Sequence, residues 1–357
     1  MGFDLLDGLR IHLRQLGLEE AKVITSNIGQ GDDPLVTYTA AEKLILEDDV
    51  QLILAYATSL NAELLYSLAD NSGKPFLFLD PGMEFHEALP NPLCRYISLQ
   101  GLIACYELGK QAGSGQHKVI ASSSFLDGGY RGSLALYNGL TSVGGTISGN
   151  HVTQFSEADF TLEPLGQLIE TTDSDSITAS FSSYYCGFFM KHLQEAGETL
   201  RSLPFYCTPF MADEQLLPAI PFPGGTFHTI VPWATSLNNS ANKLFLETIN
   251  QEKNKTANIF HLLGWEAATV VQKIVSDGIS AVDDWTFESP RGLVQFHSET
   301  NVTFAPLYSG QIEAGTTGEC TLVIKETMPV TPEEHKELFF SKPEEGYSRW
   351  KNNFLCI

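Results

Sequence analysis

Residues 51–79 read QLILAYATSLNAELLYSLADNSGKPFLFL, and this stretch decides the fold. Residues 51–57 are a nearly unbroken apolar run, which is typical of a strand covered on both faces. Residues 61–71 have helical spacing and stop at Gly73, and residues 75–79 are a second apolar run. Because a parallel crossover needs a helix to return the chain, this stretch predicts a parallel sheet covered by helices.

The same alternation of helix and strand extends in both directions from this stretch. Towards the N-terminus, the pattern predicts a helix over 3–16 that ends at Gly17, a short strand over 21–26 and a helix that opens at Pro34. Towards the C-terminus, the predicted helices are 101–113, 130–143, 157–170, 185–197, 239–252 and 259–277. The predicted strands are 118–122, 146–153, 176–181, 205–208, 227–231, 293–297, 303–312 and 320–325. These elements predict a second α/β unit.

Length and composition exclude several classes of protein. At 357 residues the chain is longer than one hydrophobic core usually serves, which favours two domains. A 43% hydrophobic and 18% charged composition excludes an intrinsically disordered chain. The formal net charge of −22 repels phosphate backbones and anionic membranes, so neither nucleic acid nor a membrane surface is expected as a partner. The sequence has no apolar window of transmembrane length and no signal-peptide pattern at its N-terminus.

The standard catalytic and metal-binding motifs are missing from the sequence. There is no G-x-S-x-G, P-loop, H-E-x-x-H or G-x-G-x-x-G motif. The nine histidines lack metal-site spacing, so a metal site would have to be assembled from distant parts of the chain. The six cysteines contain no C-x-x-C pair and are interpreted as small buried apolar side chains. We therefore predict no enzyme, no cofactor and no metal.

The turns that follow the predicted strands are where a ligand is expected, because doubly wound sheets bind ligands beyond the carboxyl ends of their strands. Thr58 and Ser59 follow the first strand and precede a helix whose N–H groups suit a carboxylate, although a simple helix cap explains them equally well. Aromatic and methionine side chains follow the later strands, and these suit either a small-molecule pocket or ordinary packing.

Four stretches of the sequence together resemble a known family. They are 33–45, 54–59, 155–168 with its Asp159-Phe160, and the turn and strand 289–296, which is preceded by 263–267 (LGWEA). In order and spacing they resemble the type I periplasmic solute-binding proteins, specifically the branched-chain amino-acid binding family of ABC transporters. The resemblance spans nearly the whole chain.

This resemblance implies two doubly wound parallel-sheet lobes joined by a multi-strand hinge. Lobe 1 would comprise residues 1–102 and 236–302, and lobe 2 residues 103–235 and 303–357. Such a protein performs no chemistry but captures an amino acid or similar small carboxylate in the interlobe cleft by hinge closure. The resemblance also implies an ABC permease as the partner, and a periplasmic or lipid-anchored extracytoplasmic location.

Carried over by position, the resemblance implies two groups of ligand contacts. Those of the first lobe are Ala57, Thr58, Ser59, Met83, Glu84 and Phe85. Those of the second lobe are Tyr184, Tyr185 and Phe210. Where the family has an ammonium-binding acid, this chain reads Thr208-Pro209-Phe210, and the nearest acid is Asp213. The ligand is therefore expected to be either an α-amino acid or an aromatic or aliphatic carboxylate.

The chain also departs from the family at its start, where the family has a strand central to the first lobe's sheet. An empty slot there would leave buried backbone groups unpaired, at a cost of about 1–3 kcal/mol each. We therefore expect a longer precursor whose signal peptide and first strand are absent from the given chain. Alternatively, the tail after Lys325 or a symmetry-related copy fills the slot.

The sequence is also compatible with two other functions. One is a ligand-sensing receptor or regulatory module with the same fold. The other, less favoured, is an enzyme with a dispersed site, for which Asp127, Tyr130 and His86 are the candidate residues.

Overall fold

The computed structural model describes residues 2–29, 31, 33–83, 89–129, 131–154 and 156–340. The helices are α1 Gly2–Gln15, α2 Pro34–Leu46, α3 Ser59–Leu64, α4 Tyr66–Ser72, α5 Gly101–Gly113, α6 Arg131–Ser142, α7 Glu163–Thr171, α8 Tyr184–Glu195, α9 Glu198–Ser202, α10 Ser240–Lys253, α11 Ile259–Asp277 and α12 Pro332–Phe340. The strands are β1 Ile53–Tyr56, β2 Phe76–Asp80, β3 Cys94–Ser98, β4 Lys118–Ser124, β5 Thr146–Thr153, β6 Ser176–Ser180, β7 Phe205–Cys207, β8 Phe227–Val231, β9 Thr286–Ser289, β10 Gly292–His297, β11 Val302–Phe304, β12 Leu307–Ala314 and β13 Cys320–Met328.

The described chain forms two compact units, each with one sheet. Unit 1 contains the described residues within 1–100, 237–306 and 330–340, and unit 2 contains residues 101–236 and 307–329. Helices accompany both sheets, and most of the strands in each sheet are parallel. The predicted fold class, two α/β units with parallel-rich sheets, is therefore confirmed.

Unit 1 has a six-stranded sheet in the order β1-β2-β3-β11-β10-β9. The four neighbouring strands β1, β2, β3 and β11 run parallel to one another, and β10 is antiparallel to both of its neighbours, β11 and β9. The core on one face is aromatic: Phe78 stacks on Tyr96 with ring centroids 4.9 Å apart, and Phe76 packs beside them. These rings are buried together with Leu65 and Ala69 of the α3–α4 segment, so the predicted strand–helix–strand stretch forms this core.

The predicted strand over 21–26 is wrong, because this segment is irregular in the structure. β1 is the edge strand of its sheet, and no described strand pairs with its outer side. The segment over 21–26 does not pair with this free side, so it forms no ladder hydrogen bonds within the described structure. The described tail does not pair with β1 either: its residues up to Met328 belong to β13 in unit 2, and the later ones form α12.

Two strands of unit 1 were not predicted. β3 has Arg95 in its middle, which obscures the apolar run, yet this side chain is only 3% exposed. Its guanidinium donates to the carbonyl of Pro92 and to the carboxylate of Asp283, so the charge is compensated inside the fold. β9 is short and alternates between exposed and buried residues.

Unit 2 has a seven-stranded sheet in the order β13-β12-β8-β7-β6-β4-β5. The five strands from β8 to β5 are parallel, whereas β12 is antiparallel to β8 and β13 is antiparallel to β12. The predicted run 303–312 is divided into β11 and β12, which belong to different units.

Helices α5 and α6 of unit 2 pack at backbone distance. A Cβ atom added to Gly109 would lie 1.9 Å from the carbonyl oxygen of Leu136, and one added to Gly139 would lie 1.9 Å from that of Tyr106. Only glycine fits at these two positions, so the residue type fixes the separation of the helices.

Five of the six cysteines lie among the described residues, and all five are buried free thiols, as the sequence predicted. The sixth, Cys356, lies outside the described residues. None of the described helices has the length and apolar character needed to cross a bilayer.

Candidate functional site

Four of the predicted contacts of the first lobe lie at one edge of the unit 1 sheet: Ala57, Thr58, Ser59 and Met83. β1 and β2 are parallel neighbours, with Tyr56 opposite Leu79. The turn that begins at Ala57 and the turn that contains Met83 therefore leave the sheet at the same edge, which is where this class of sheet binds ligands. Glu84 and Phe85 lie outside the described residues, as does His86 of the enzyme alternative.

Thr58 caps helix α3. Its Oγ1 accepts a hydrogen bond from the backbone N–H of Asn61 at 3.2 Å, and its own N–H donates to the carbonyl of Gly31 at 3.2 Å. Ser59 is the first residue of α3. Met83 is buried, with 4% exposure. Thr58 therefore acts as a helix cap, as one of its two interpretations predicted. A ligand contact from Thr58, Ser59 or Met83 stays a prediction.

The predicted contacts of the second lobe also share one edge, that of the unit 2 sheet. β6 and β7 are parallel neighbours, with Ala179 opposite Cys207, so the turns after them leave the sheet together. Tyr184 is 52% exposed, whereas Tyr185 beside it is buried, and their ring centroids are 4.4 Å apart. Phe210 is 8% exposed, within a short 3₁₀ turn. Tyr184 therefore presents the most accessible surface of these three residues.

The start of α8 has an unusual backbone. Ser183, its N-cap residue, has φ 52°, which falls in the left-handed region that residues other than glycine rarely adopt. Its side chain makes no capping hydrogen bond to the helix. Strain of this kind is found most often at functional sites.

Asp127 is a buried carboxyl group at the end of β4. Its Oδ2 accepts hydrogen bonds from the Ser124 hydroxyl at 2.5 Å and from the Ser182 N–H at 2.9 Å. Its Oδ1 has no hydrogen-bond partner among the described residues. Burial raises the pKa of Asp127 above its ordinary value, although the hydrogen bonds from Ser124 and Ser182 act in the opposite direction.

Two buried hydroxyl groups lie at the carboxyl ends of two parallel strands of the unit 2 sheet. Thr153 ends β5 and is 3% exposed; Thr208 follows β7 and is fully buried. Neither hydroxyl has a hydrogen-bond partner within the described part of the chain. We name Asp127, Thr153, Ser182 and Thr208 the polar edge of unit 2, because they end four adjacent parallel strands in the order β7-β6-β4-β5.

The polar edge was mostly missed at the level of sequence. The sequence marks Asp127 only as a catalytic candidate and does not mark Thr153 or Thr208 as ligand contacts. The available signal was a set of hydroxyl residues at the carboxyl ends of otherwise apolar strands. Unpartnered buried polar groups destabilise a fold, so these hydroxyl groups are unused hydrogen-bonding capacity at this edge.

The acidic residues after β7 are largely engaged inside unit 2. The Asp213 carboxylate accepts a hydrogen bond from the backbone N–H of Gln215 at 2.9 Å. The Glu214 carboxylate accepts two bonds from Thr235, at 2.7 Å from its N–H and 2.5 Å from its hydroxyl. Burial raises the pKa of Asp213 and of Glu214. Neither carboxylate is therefore available as a freely exposed anion that could bind the ammonium group of an amino acid.

Comparison with solved structures shows the same fold in transport proteins. A solute-binding protein of an ABC transporter from Rhodopseudomonas palustris BisB5, in complex with 3,4-dihydroxybenzoic acid, has a TM-score of 0.71 at 17% identity, and the alignment covers 92% of each chain. The ABC transporter substrate-binding protein from Sphaerobacter thermophilus has a TM-score of 0.74 at 18% identity, covering 92% of this chain and 93% of the other. LivJ, the branched-chain amino acid transporter substrate-binding protein from Streptococcus pneumoniae, in complex with isoleucine, gives 0.65 at 13% identity, covering 91% and 95%.

Comparison with sequences leads to the family. No curated protein sequence is significantly similar to the chain. The family model described as "Periplasmic binding protein" matches residues 5–317, which is most of the chain. The resemblance found in the sequence motifs, the two parallel-rich α/β units and this match agree with one another. The chain belongs to the periplasmic binding protein family.

Proposed function

We propose that this protein is the solute-binding component of an ABC-type uptake system, and that it captures a small carboxylate or an amino acid by hinge closure. Membership of the family supports the binding role. In this proposal the two units act as the lobes predicted from the sequence, an ABC permease is the partner, and the protein works in the periplasm or as a lipid-anchored extracytoplasmic protein. The bound solute is released unchanged.

The polar edge of unit 2 is the observation that favours one class of solute. Three of its four members, Thr153, Ser182 and Thr208, offer neutral hydroxyl groups. The fourth, Asp127, already accepts hydrogen bonds from the Ser124 hydroxyl and the Ser182 N–H. An α-ammonium group binds best to an ionised carboxylate that is free to pair with it, whereas a phenol or a carboxylate is satisfied by hydroxyl groups. We therefore infer an aromatic carboxylate as the preferred solute, with the exposed ring of Tyr184 as a stacking surface.

In unit 1 we propose the turn after β1 as the second set of contacts. Ala57, Thr58 and Ser59 precede the N-terminus of α3, and Met83, Glu84 and Phe85 complete the predicted group. The Thr58 hydroxyl already accepts the Asn61 N–H, so it would offer its hydrogen as a donor to the solute carboxylate.

The solutes named with the similar structures supply the test set. One of those proteins was crystallised with 3,4-dihydroxybenzoic acid, another with 4-hydroxybenzoate and another with isoleucine. Thermal unfolding should be measured in the presence of benzoate, these two hydroxylated benzoates, isoleucine and leucine. A solute at 100 times its dissociation constant stabilises the native state by about 2.7 kcal/mol. Stabilisation by the benzoates and not by the amino acids is the expected result; no stabilisation by any of them would contradict the binding proposal.

A matched pair of threonine variants tests the polar edge. Thr208 and Thr229 are both fully buried, and neither hydroxyl has a partner among the described residues, but Thr229 lies inside β8 and not at a strand end. Calorimetric titration with the best benzoate should show that Thr208→Val weakens binding by about 5- to 100-fold, the value of one lost hydrogen bond. Thr229→Val should bind as the wild type does. Equal affinities of the two variants would remove Thr208 from the site.

Two further measurements distinguish the alternative functions. Recovery of the bound compound unchanged after prolonged incubation is expected, and its conversion would favour an enzyme. Co-purification with an ABC permease would support transport, whereas co-purification with a sensor protein in place of a permease would favour the ligand-sensing alternative.

A further inference from the structure

A cluster of three potential metal ligands lies in unit 1, between helices α1 and α11. Asp4 and Asp7 are one turn apart on α1, and His261 is in the first turn of α11. One carboxylate oxygen of each aspartate and Nε2 of the histidine lie within 4.8 Å of one another. In a tetrahedral zinc site, neighbouring ligand atoms are roughly 3.3 Å apart, so small side-chain rotations would close this group on an ion.

His261 is the residue that points to a ligand. Its side chain is only 1% exposed, and Nε2 has no hydrogen-bond partner among the described residues. This nitrogen faces the carboxylate of Asp4, with 3.6 Å between Nε2 and Oδ1. Leaving a buried polar atom unsatisfied is costly, so an unused nitrogen aimed at a carboxylate calls for an explanation.

The hydrogen bonds of Asn258 fix the tautomer of His261. Asn258 Nδ2 donates to Asp4 Oδ2 at 3.1 Å, and Asn258 Oδ1 accepts the backbone N–H groups of Phe260 and His261. Its Oδ1 is therefore the oxygen, and it lies 2.8 Å from Nδ1 of His261. Two acceptors would repel at that distance, so Nδ1 carries the hydrogen; the contact from Asn258 N to Nδ1, at 3.3 Å, is the weaker one.

With its hydrogen on Nδ1, His261 directs the lone pair of Nε2 towards the aspartates. A lone pair and two carboxylates facing one another repel unless a cation lies between them. An Nδ1–H held by an acceptor is the usual arrangement behind a metal-bound histidine.

The backbone holds the three residues in place. A Cβ atom on Gly8 would lie 2.1 Å from the carbonyl oxygen of His261, and one on Gly264 would lie 2.1 Å from that of Leu5. Helices α1 and α11 are therefore in direct backbone contact on both sides of the cluster. A rigid backbone of this kind holds the three metal ligands in fixed positions, which favours binding of one kind of ion over others.

Two lysines currently neutralise the carboxylates. Lys255 Nζ lies 3.0 Å from Asp4 Oδ1, and Lys253 Nζ lies 2.5 Å from Asp7 Oδ1. Both lysines sit at or just beyond the end of α10. A bound cation must displace or share with these ammonium groups, so they compete with the metal and lower its affinity.

We propose that Asp4, Asp7 and His261 form a binding site for a divalent transition-metal ion of the Zn²⁺ type, with water as the remaining ligand. One imidazole and two carboxylates suit Zn²⁺ better than Ca²⁺ or Mg²⁺, which prefer oxygen ligands alone. The ion would join α1 to α11 and stabilise unit 1, which is a structural role separate from solute binding.

The test is calorimetric titration of the full chain with Zn²⁺, together with the visible absorption of Co²⁺ as a probe of nitrogen and oxygen ligation. We expect one ion per chain and a rise in the unfolding temperature as the ion is added. Asp7→Asn should weaken binding by about 10- to 100-fold, on the scale of a disturbed metal site. Asp277→Asn, which changes an exposed aspartate paired with Lys273, should not alter binding.

The lysine variant separates a metal site from a purely structural ion-pair cluster. Lys255→Met removes the competing ammonium, so it should tighten Zn²⁺ binding about tenfold while leaving the three ligands intact. This variant leaves the buried histidine unchanged. The test therefore does not need a substitution of His261, which could prevent the protein from folding. Absence of Zn²⁺ binding in both the wild type and Lys255→Met, or equal binding by Asp7→Asn, would overturn the proposal.

Discussion

Arg291 and Glu266 form a two-point ion pair in which neither side chain is exposed. Nε of Arg291 donates to Oε1 of Glu266 at 2.7 Å, and Nη2 donates to Oε2 at 3.0 Å. The Ser289 hydroxyl donates to the same Oε1 at 2.5 Å. This pair links the two late motifs that carried the family resemblance, since Glu266 belongs to LGWEA and Arg291 to the turn after Pro290.

Breaking this pair should destabilise the fold strongly. Glu266→Leu leaves a buried guanidinium uncompensated, and we expect a loss of about 3–5 kcal/mol in the free energy of unfolding. The double variant Glu266→Leu/Arg291→Met should lose less than the sum of its single changes, because it leaves no lone charge. Denaturant unfolding of the four proteins of this cycle measures the coupling. The exposed pair of Arg14 and Glu252 is the control, where Arg14→Met should cost about 0–1 kcal/mol.

The close contact of α5 and α6 predicts a second stability effect. Gly109→Ala and Gly139→Ala would each place a methyl group 1.9 Å from a backbone oxygen, so the helices must move apart, and we expect a loss of at least about 2 kcal/mol. Gly166→Ala and Gly187→Ala are matched controls inside α7 and α8, where an added Cβ meets no atom within 4 Å. These controls should be neutral or stabilise by up to about 1 kcal/mol. Thermal unfolding of the four variants compares them, and similar losses at all four sites would refute the packing argument.

His151 predicts a pH dependence of stability. Burial lowers the pKa of His151 from 6.5 to about 4, and its ring nitrogen Nδ1 lies 2.9 Å from the Ser122 hydroxyl. The unfolded chain therefore binds a proton between pH 6.5 and 4 that the folded protein does not bind. Stability falls as the pH decreases through this range, by about 1–3 kcal/mol from this residue.

The variant His151→Gln should reduce that slope, since it keeps a polar side chain but does not titrate. Denaturant unfolding at several values between pH 4 and 7 measures the slope for the wild type and the variant. His192→Gln, which changes a partly exposed histidine bonded to the carbonyl of Phe188, serves as the control. An unchanged slope in His151→Gln would show that other groups cause the pH dependence.

Asp127 is expected to lower stability while it serves binding. Burial raises its pKa above 3.8, so the folded protein holds this proton more tightly than the unfolded chain does. The stability from this residue is complete below pH 3.8 and is lost as the pH rises through the folded-state pKa. Asp127→Asn removes that loss, because an amide does not ionise. Its oxygen can still accept the hydrogen bond from the Ser182 N–H.

We therefore expect Asp127→Asn to match or exceed the wild type in stability at pH 7, by about 0–1 kcal/mol, and to bind benzoates more weakly. Unfolding and calorimetric titration of the same preparation provide both numbers. A variant that is destabilised by several kcal/mol and binds normally would assign Asp127 a structural role alone.

The sequence predicted most of the fold because the buried parallel strands have no polar face. The apolar runs that became β1 and β2 could be interpreted directly, and Gly73 and Pro34 marked helix boundaries with known stereochemistry. The prediction failed over 21–26, where apolar residues suggested a strand but the segment pairs with neither sheet. It also missed β3, because the charge of Arg95 is neutralised by Asp283, 188 positions away.

The candidate sites were less predictable for a related physical reason. The turns after β1 and β6 could be located from the strand pattern, but whether a hydroxyl is already bonded depends on tertiary contacts. Thr58 is used as a helix cap, whereas Thr208 has no partner among the described residues. The cluster of Asp4, Asp7 and His261 joins two segments of unit 1 that are more than 250 positions apart in the sequence, so local spacing gave no sign of it.

The pairing of α1 with α11 also has a consequence for protein synthesis. Helix α1 leaves the ribosome roughly 240 residues before its partner α11, which at 5–20 residues per second is a delay of about 10–50 s. The five parallel strands of unit 2, in contrast, lie in the single uninterrupted stretch 118–231, and they are all translated before α11 appears. The parallel strands of unit 2 can therefore pair before α11 is made, whereas the amphipathic helix α1 waits without its partner and is exposed to chaperones during translation.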